Sequence, residues 1–243
     1  MKYSFLIAIS LFASANAYSS NDVHWGYTGK QGPDHWATLS PENSACSGKN
    51  QSPIDLSRFV DADLPPIEFN YSAGAYEILN NGHTVQINYK KGSSIKLDGK
   101  TFNLLQFHFH TPSENHIMGH EYPLEAHLVH ASKDGELAVV AVMFEKGDTN
   151  PTLQKVWSKM PVHKGDHFKL SEVATVKNLL PKSTDYYRFN GSLTTPPCTE
   201  GVRWIVMQQP VNASPEQIKQ FAHALHGPNN RPVQQMHART VLK

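Results

Sequence analysis

Between Gln106 and His110 the chain alternates polar and aromatic residues without a break, Gln-Phe-His-Phe-His, and few folds accept that pattern. Successive side chains of a β-strand point to opposite sides. Gln106, His108 and His110 therefore share one face, while Phe107 and Phe109 share the other. The two phenylalanines demand burial, which places this strand in a sheet with a core beneath it. The opposite face carries two imidazoles whose Cα atoms start about 6.6 Å apart, at about 3.3 Å per residue. From there both rings can turn toward one ion.

A second run, Leu124 to His130, offers Glu125, His127 and Val129 on one face and Ala126, Leu128 and His130 on the other. With the two strands adjacent, about 4.8 Å apart, His127 completes a three-histidine site. Three neutral imidazoles suit zinc and leave its fourth position open, the mark of a catalytic rather than a structural site. Copper and nickel also take imidazole, so ligand type alone leaves the metal open. Gln106 and Glu125 stand where the second N–H of a ligating ring normally finds an acceptor. The chain has 14 histidines, so position, not number, singles these out. The competing reading is that His108 and His110 merely line a polar sheet face.

Other short runs rich in β-branched and aromatic residues read as strands: Tyr76 to Leu79, Val85 to Tyr89, Ser94 to Leu97, Asn103 to Phe109, Leu137 to Phe144 and Trp204 to Gln208. Two helices are marked. Asn150 is a good N-cap ahead of Pro151, opening a helix over Thr152 to Lys159. Ser214-Pro215-Glu216-Gln217 reads as a capping box, with Gly227 just past the far end. The expected fold is a β-dominated α+β single domain on a large, mainly antiparallel twisted central sheet with short peripheral helices. Pro and Gly are scattered rather than gathered at a boundary, so one domain, 18–243, is expected.

Lys2, the apolar run Phe5 to Ala13 and the small-x-small triplet Ala15-Asn16-Ala17 predict a cleaved signal peptide over residues 1–17. The run is too short to span about 30 Å of hydrocarbon. The chain holds 22 Lys and Arg against 21 Asp and Glu, and loss of Lys2 with the leader balances them. Such a balance argues against nucleic acid or an anionic membrane surface as partner. Of the two cysteines, Cys46 and Cys198, an exported chain most often makes one disulfide. Two buried free thiols are the alternative, and neither has the close ligand-type neighbour that a thiolate metal site needs.

These residues resemble the α-class carbonic anhydrases of the exported, bacterial kind. The resemblance begins at His24-Trp25-Gly26-Tyr27 and runs through Gly32-Pro33-Asp34-His35-Trp36, Asn50-Gln51-Ser52-Pro53-Ile54-Asp55 and Asn80-Asn81-Gly82-His83. Both histidine runs and Ser113-Glu114-Asn115-His116 come next, and it closes on Gly191-Ser192-Leu193-Thr194-Thr195-Pro196-Pro197-Cys198 and Asn230-Arg231-Pro232. It implies reversible hydration of carbon dioxide to bicarbonate by a zinc-bound hydroxide, with a histidine proton shuttle. His108, His110 and His127 would be the zinc ligands, the last through Nδ1, with Gln106 and Glu125 behind them. Thr194 would accept from the hydroxide and donate to Glu114, and His83 would be the shuttle. Tyr27, Asn81 and Gln86 would order the waters between it and the metal.

Val129, Val139, Leu193, Thr195, Val202 and Trp204 would line the substrate pocket, although residues alone read the apolar ones as ordinary core. The resemblance also implies a Cys46–Cys198 disulfide, pinning the Thr194-Thr195 loop against the metal, and periplasmic or secreted localisation. A homodimer is compatible with it. Two departures stand beside the site: Gln86 where animal members commonly have Asn, and Thr111 where they have Trp. A non-catalytic relative would typically have lost a ligand histidine. A metal-dependent esterase is the other rival.

Overall fold

A computed structural model describes residues 24–72, 74–170 and 174–243. The expected signal peptide over 1–17 lies outside them. A 13-stranded sheet dominates. From one edge its strands run His167–Lys169, Ala75–Asn80, Val85–Tyr89, Lys100–His110, Leu124–Ala131 and Leu137–Lys146, antiparallel throughout. Leu137–Lys146 then pairs in parallel with Glu200–Met207, which is antiparallel to Tyr186–Ser192. The strands Val241–Leu242 and Phe59–Val60 finish the sheet. The mainly antiparallel sheet expected from the sequence is present, and its parallel steps along this path, Leu137–Lys146 with Glu200–Met207 and Val241–Leu242 with Phe59–Val60, fall where a long connection separates the two strands, as such a pairing requires.

The expected strands are present, but the one expected from Asn103 begins at Lys100, and short strands such as Glu68–Asn70, His167–Lys169 and Val211–Ala213 lie outside the apolar runs. The strand expected from Trp204 begins at Glu200, because pairing with Tyr186–Ser192 carries the ladder through residues of low β-propensity. Tyr186–Ser192 itself has Arg188, Asn190 and Gly191 in its middle, which conceals it from a propensity reading. The helix expected over Thr152 to Lys159 spans only Pro151–Val156. Its cap holds, since Asn150 Oδ1 accepts from the backbone N–H groups of Thr152 and Leu153. Pro161 disfavours helical backbone at Met160. In the helix Pro215–Leu225 the capping box of Ser214 and Gln217 is formed, and the left-handed terminal residue is His226, one place before Gly227.

The central strands of the sheet are buried on both sides. Leu137–Lys146 shows why its sequence is a continuous apolar run: Ala138, Val140, Val142 and Phe144 enter one cluster, while Val139, Ala141 and Met143 enter the other. Phe102, Leu104, Phe107 and Phe109 all pack in the first cluster, although strict alternation cannot put 102 and 107 on one side. Leu105 resolves this. The register slips between Leu104 and Gln106, so Leu105 has no partner on the neighbouring strand and is 49% exposed. This β-bulge shifts the parity of the strand. Phe102 and Leu104 thereby join Phe107 and Phe109 on the side away from His108 and His110. No helix among the described residues is long and apolar enough to cross a membrane.

Candidate metal centre

The strands Lys100–His110 and Leu124–Ala131 are direct antiparallel neighbours, with His108 across from His127 and His110 across from Glu125. The ring centroids of His108, His110 and His127 lie 4.6–5.4 Å apart. One nitrogen of each ring lies within 4.8 Å of those of the other two.

Each ring is fixed by its other nitrogen. His108 Nδ1 meets Gln106 Oε1 at 2.9 Å, and His127 Nε2 meets Glu125 Oε1 at 2.8 Å. His110 Nδ1 meets the Asn229 backbone carbonyl at 2.7 Å. The protons on those nitrogens are thereby assigned, leaving His108 Nε2, His110 Nε2 and His127 Nδ1 as lone-pair donors. His130, on the other face, bonds Tyr71 instead and takes no part.

Glu125 is saturated. Its Oε2 accepts from the backbone N–H groups of Glu114 and Asn115, and its Oε1 from Asn115 Nδ2 as well as His127. Burial pushes its pKa up, but the charge and hydrogen bond of His127 and the bonds of Asn115 outweigh that and hold it low. Glu114 is fully buried, and its Oε1 accepts from the Arg231 backbone N–H. Its Oε2 lies 3.3 Å from His110 Nε2 and 3.8 Å from His127 Nδ1, with no hydrogen-bond partner. Burial raises the Glu114 pKa to about 7, against His127 and the nearby Thr194 hydroxyl, which oppose the rise.

Burial likewise pulls His108 down and His110 to about 3, each helped by neighbouring rings. Burial also works against a charged His127, yet the Glu125 carboxylate, with Glu114, raises it above the usual imidazole value. Two orphaned buried atoms, His110 Nε2 and Glu114 Oε2, thus face one another among three oriented imidazoles. A divalent cation satisfies the nitrogens and favours the ionised carboxylate. The donor set fits zinc.

The remaining site residues divide. Val139, Val202 and Trp204 are buried in the cluster on the histidine face, with Val129 and Leu193 packed against it, and the Trp204 ring is 4.9 Å from that of His127. Thr194 is buried, while Thr195 shapes the turn, its carbonyl accepting from Cys198 N. Cys46 and Cys198 form a disulfide. Tyr27 is half-buried with its hydroxyl enclosed and unpartnered, its pKa pushed up by burial and by the Glu114 charge. Gln86 stands directly across from His108. Asn81 spends its Oδ1 on the backbone N–H groups of His83 and Thr84, holding the turn at Gly82, whose φ of +88° favours glycine. The His83 ring is stacked flat on Trp25, 3.7 Å between centroids, and its pKa falls to about 4 through burial, Lys164 and His24.

Sequence reasoning missed three contributors. Asn115 braces Glu125, and Arg231 holds Glu114. Asn229 supplies the acceptor for His110 and donates from Nδ2 to the carbonyls of Phe109 and His83. Its action on His110 uses a backbone carbonyl, which no residue pattern announces.

Comparison with known proteins agrees with this geometry. The profile of eukaryotic-type carbonic anhydrases matches residues 31–243. The chain is 47% identical over 243 residues to a carbonic anhydrase of Pectobacterium atrosepticum, covering 100% of both. It is 45% identical to one of Neisseria gonorrhoeae over 240 residues, 98% of this chain and 94% of that. Among solved structures, the α-carbonic anhydrase of Thermovibrio ammonificans in complex with sulfanilamide superposes with a TM-score of 0.90 at 48% identity, over 91% of this chain and 99% of that one.

Proposed function

The chain belongs to the α-class, eukaryotic-type carbonic anhydrases and is a zinc-dependent carbonate dehydratase, and from that premise we propose how its own residues serve the hydration of carbon dioxide. His108, His110 and His127 hold zinc, with Gln106, Asn229 and Glu125 fixing the ring orientations. Zinc supplies Lewis acidity that brings a coordinated water to a pKa of about 7, the value known for carbonic anhydrases. Thr194 accepts a hydrogen bond from the nucleophilic oxygen and donates its own proton to Glu114, so that a lone pair faces the carbon. Val129, Val139, Leu193, Val202 and Trp204 give the substrate an apolar wall, and Thr195 borders it. The observation that carries this reading is the convergence of three pinned imidazoles on one another, with the orphaned Glu114 oxygen beside two of them.

A Thr194→Ala variant is expected to lose about 10²-fold in kcat/KM, the scale of one lost transition-state hydrogen bond, while keeping stoichiometric zinc. Stopped-flow hydration with metal analysis checks both, and loss of zinc would reassign the residue to structure.

The proton released at each turnover has to travel. Free hydroxide at about 10⁻⁷ M, arriving near the ceiling of about 10⁹ M⁻¹s⁻¹, removes only about 10² protons per second. His83 is the local carrier, with Tyr27, Asn81 and Gln86 ordering the waters that reach it. Burial, Lys164 and His24 disfavour charge on its ring, so a proton it takes up passes readily to buffer. His83→Ala is expected to lower kcat about 10²-fold in weak buffer, with kcat/KM little changed and added imidazole restoring much of the rate. Equal turnover of both proteins at low buffer removes His83 from the mechanism.

Residues 18–243 are read as one catalytic domain behind a cleaved leader, 1–17, delivered to the periplasm or beyond. The disulfide suits that oxidising setting. Neither nucleic acid nor a membrane span has a part in this reading, and a homodimer is compatible with it.

A further inference from the structure

We propose that Glu77, two strands away from the metal histidines, decides which end of the Gln86 amide is left free on the histidine face, and that it presents a hydrogen-bond acceptor. The inference rests on, and deepens, the reading of Gln86 as a residue that orders proton-path waters.

Directly opposed residues of an antiparallel pair lie on one face. Gln86 is opposite His108, Asn88 is opposite both Gln106 and Glu77, and Lys169 on the outermost strand is opposite Glu77. A polar row therefore leads across the histidine face from the metal to the sheet edge. Its members are bonded in series. Asn88 Nδ2 donates to Glu77 Oε2 at 2.6 Å, and Gln86 Nε2 donates to Asn88 Oδ1 at 2.7 Å.

The direction of that series is set at its far end. The two ends of a carboxamide are nearly the same shape, so an Asn–Gln pair alone can be arranged either way round. A carboxylate breaks the tie because it only accepts. Asn88 must turn its NH₂ toward Glu77, which turns its carbonyl toward Gln86. Gln86 must then donate, and its carbonyl Oε1 is the end left over, bonded to no protein group among the described residues. The reverse arrangement sets an amide oxygen against a carboxylate oxygen and leaves both unpaired, a bias of about 10-fold or more in population. A water at Gln86 Oε1 thus donates to it, which fixes the hydrogen-bond direction at that atom. A ligand reaching that oxygen has to bring a donor.

Glu77→Lys tests this by reversing the terminus. An ammonium only donates, so Asn88 turns its carbonyl outward, its NH₂ meets Gln86 Oε1, and the Gln86 NH₂ is the end left free. Side-chain ¹⁵N–¹H NMR on zinc-free and zinc-loaded protein is expected to show one Gln86 NH₂ proton protected from exchange in the parent, and neither in Glu77→Lys. Glu77→Gln, which can serve either arrangement, gives intermediate protection and stands in should the lysine variant fail to fold. In weak buffer, Glu77→Lys is expected to change kcat by about threefold or more, with kcat/KM within about twofold. That change should vanish in a Gln86→Leu background. Unchanged Gln86 protection in both variants, or a kcat effect that persists without Gln86, overturns the proposal. Altered protection with kcat indifferent to both Glu77→Lys and Gln86→Leu upholds it, and instead removes Gln86 from the proton path.

Discussion

Replacing His110 by alanine is expected to yield a folded protein without stoichiometric zinc and with carbon dioxide hydration reduced by about 10⁴-fold or more. The magnitude reflects the source of the chemistry: enzymes commonly accelerate reactions by about 10⁶-fold or more, and here the Lewis acid supplies the nucleophile. Two imidazoles do not hold zinc as three do, and the loss falls on the ring pinned most deeply, between the Asn229 carbonyl and Glu114. The fold has other supports at this point. Phe109, one residue away, packs with Phe144, Trp157 and Phe221 on the far face. Stopped-flow hydration, atomic absorption on the purified protein and circular dichroism together check the expectation. One equivalent of tightly held zinc with near-normal turnover in this variant would sink the ligand assignment.

The second large effect concerns the Cys46–Cys198 bond. It closes a loop with a sequence separation of 152, and the chain-entropy relation gives about 5 kcal/mol for a loop of that size, an upper figure since measured effects are usually smaller. For a domain of this length, about 2–4 °C of Tm accompanies each kcal/mol. A Cys46→Ser/Cys198→Ser double variant is therefore expected to melt about 10–20 °C below the parent by scanning calorimetry. Activity at room temperature should persist, because non-covalent ties remain. Arg231, fully enclosed, donates to the carbonyls of Cys46 and Ser52 and to Gln51 Oε1, while Gln51 Nε2 donates to the Cys198 carbonyl. The same Arg231 holds Glu114 through its backbone N–H. A Tm shift below about 3 °C would mean that these ties, rather than the covalent bridge, hold the loop.

Much of this was open to inspection in the residues themselves. The alternations at 106–110 and 124–130 announce strands, faces and a histidine cluster, because a period of two is unambiguous when aromatic and polar residues take turns. The apolar run Leu137 to Phe144 is equally plain, being what a strand buried on both sides requires. Tyr186–Ser192 is not, since Arg188, Asn190 and Gly191 take their place through cross-strand pairing that local sequence does not encode. The shortened helix at Pro151 shows the same limit: the start signal was chemical and local, while the end depends on how the segment up to Pro161 packs. The row from Gln86 through Asn88 to Glu77 needs strand order, and Asn229 acts on His110 through its main chain. Neither has a sequence signature.

Leu105 is one residue of slack, the point where a ribbon is given half a turn. Excise its codon and simple counting still sends Phe102, Leu104, Phe107 and Phe109 to one side and the imidazoles to the other. Excise Phe107 instead, and Gln106 and His108 become neighbours on opposite sides, parting a ring from the amide that steadies it. One residue inserted between His108 and His110 would drive one of those imidazoles into oil. The reading frame of the genetic message survives all three edits, but the geometric frame survives only the first. Along this segment, changes of length are therefore forgiven at a single position, the one where the ladder already skips a rung.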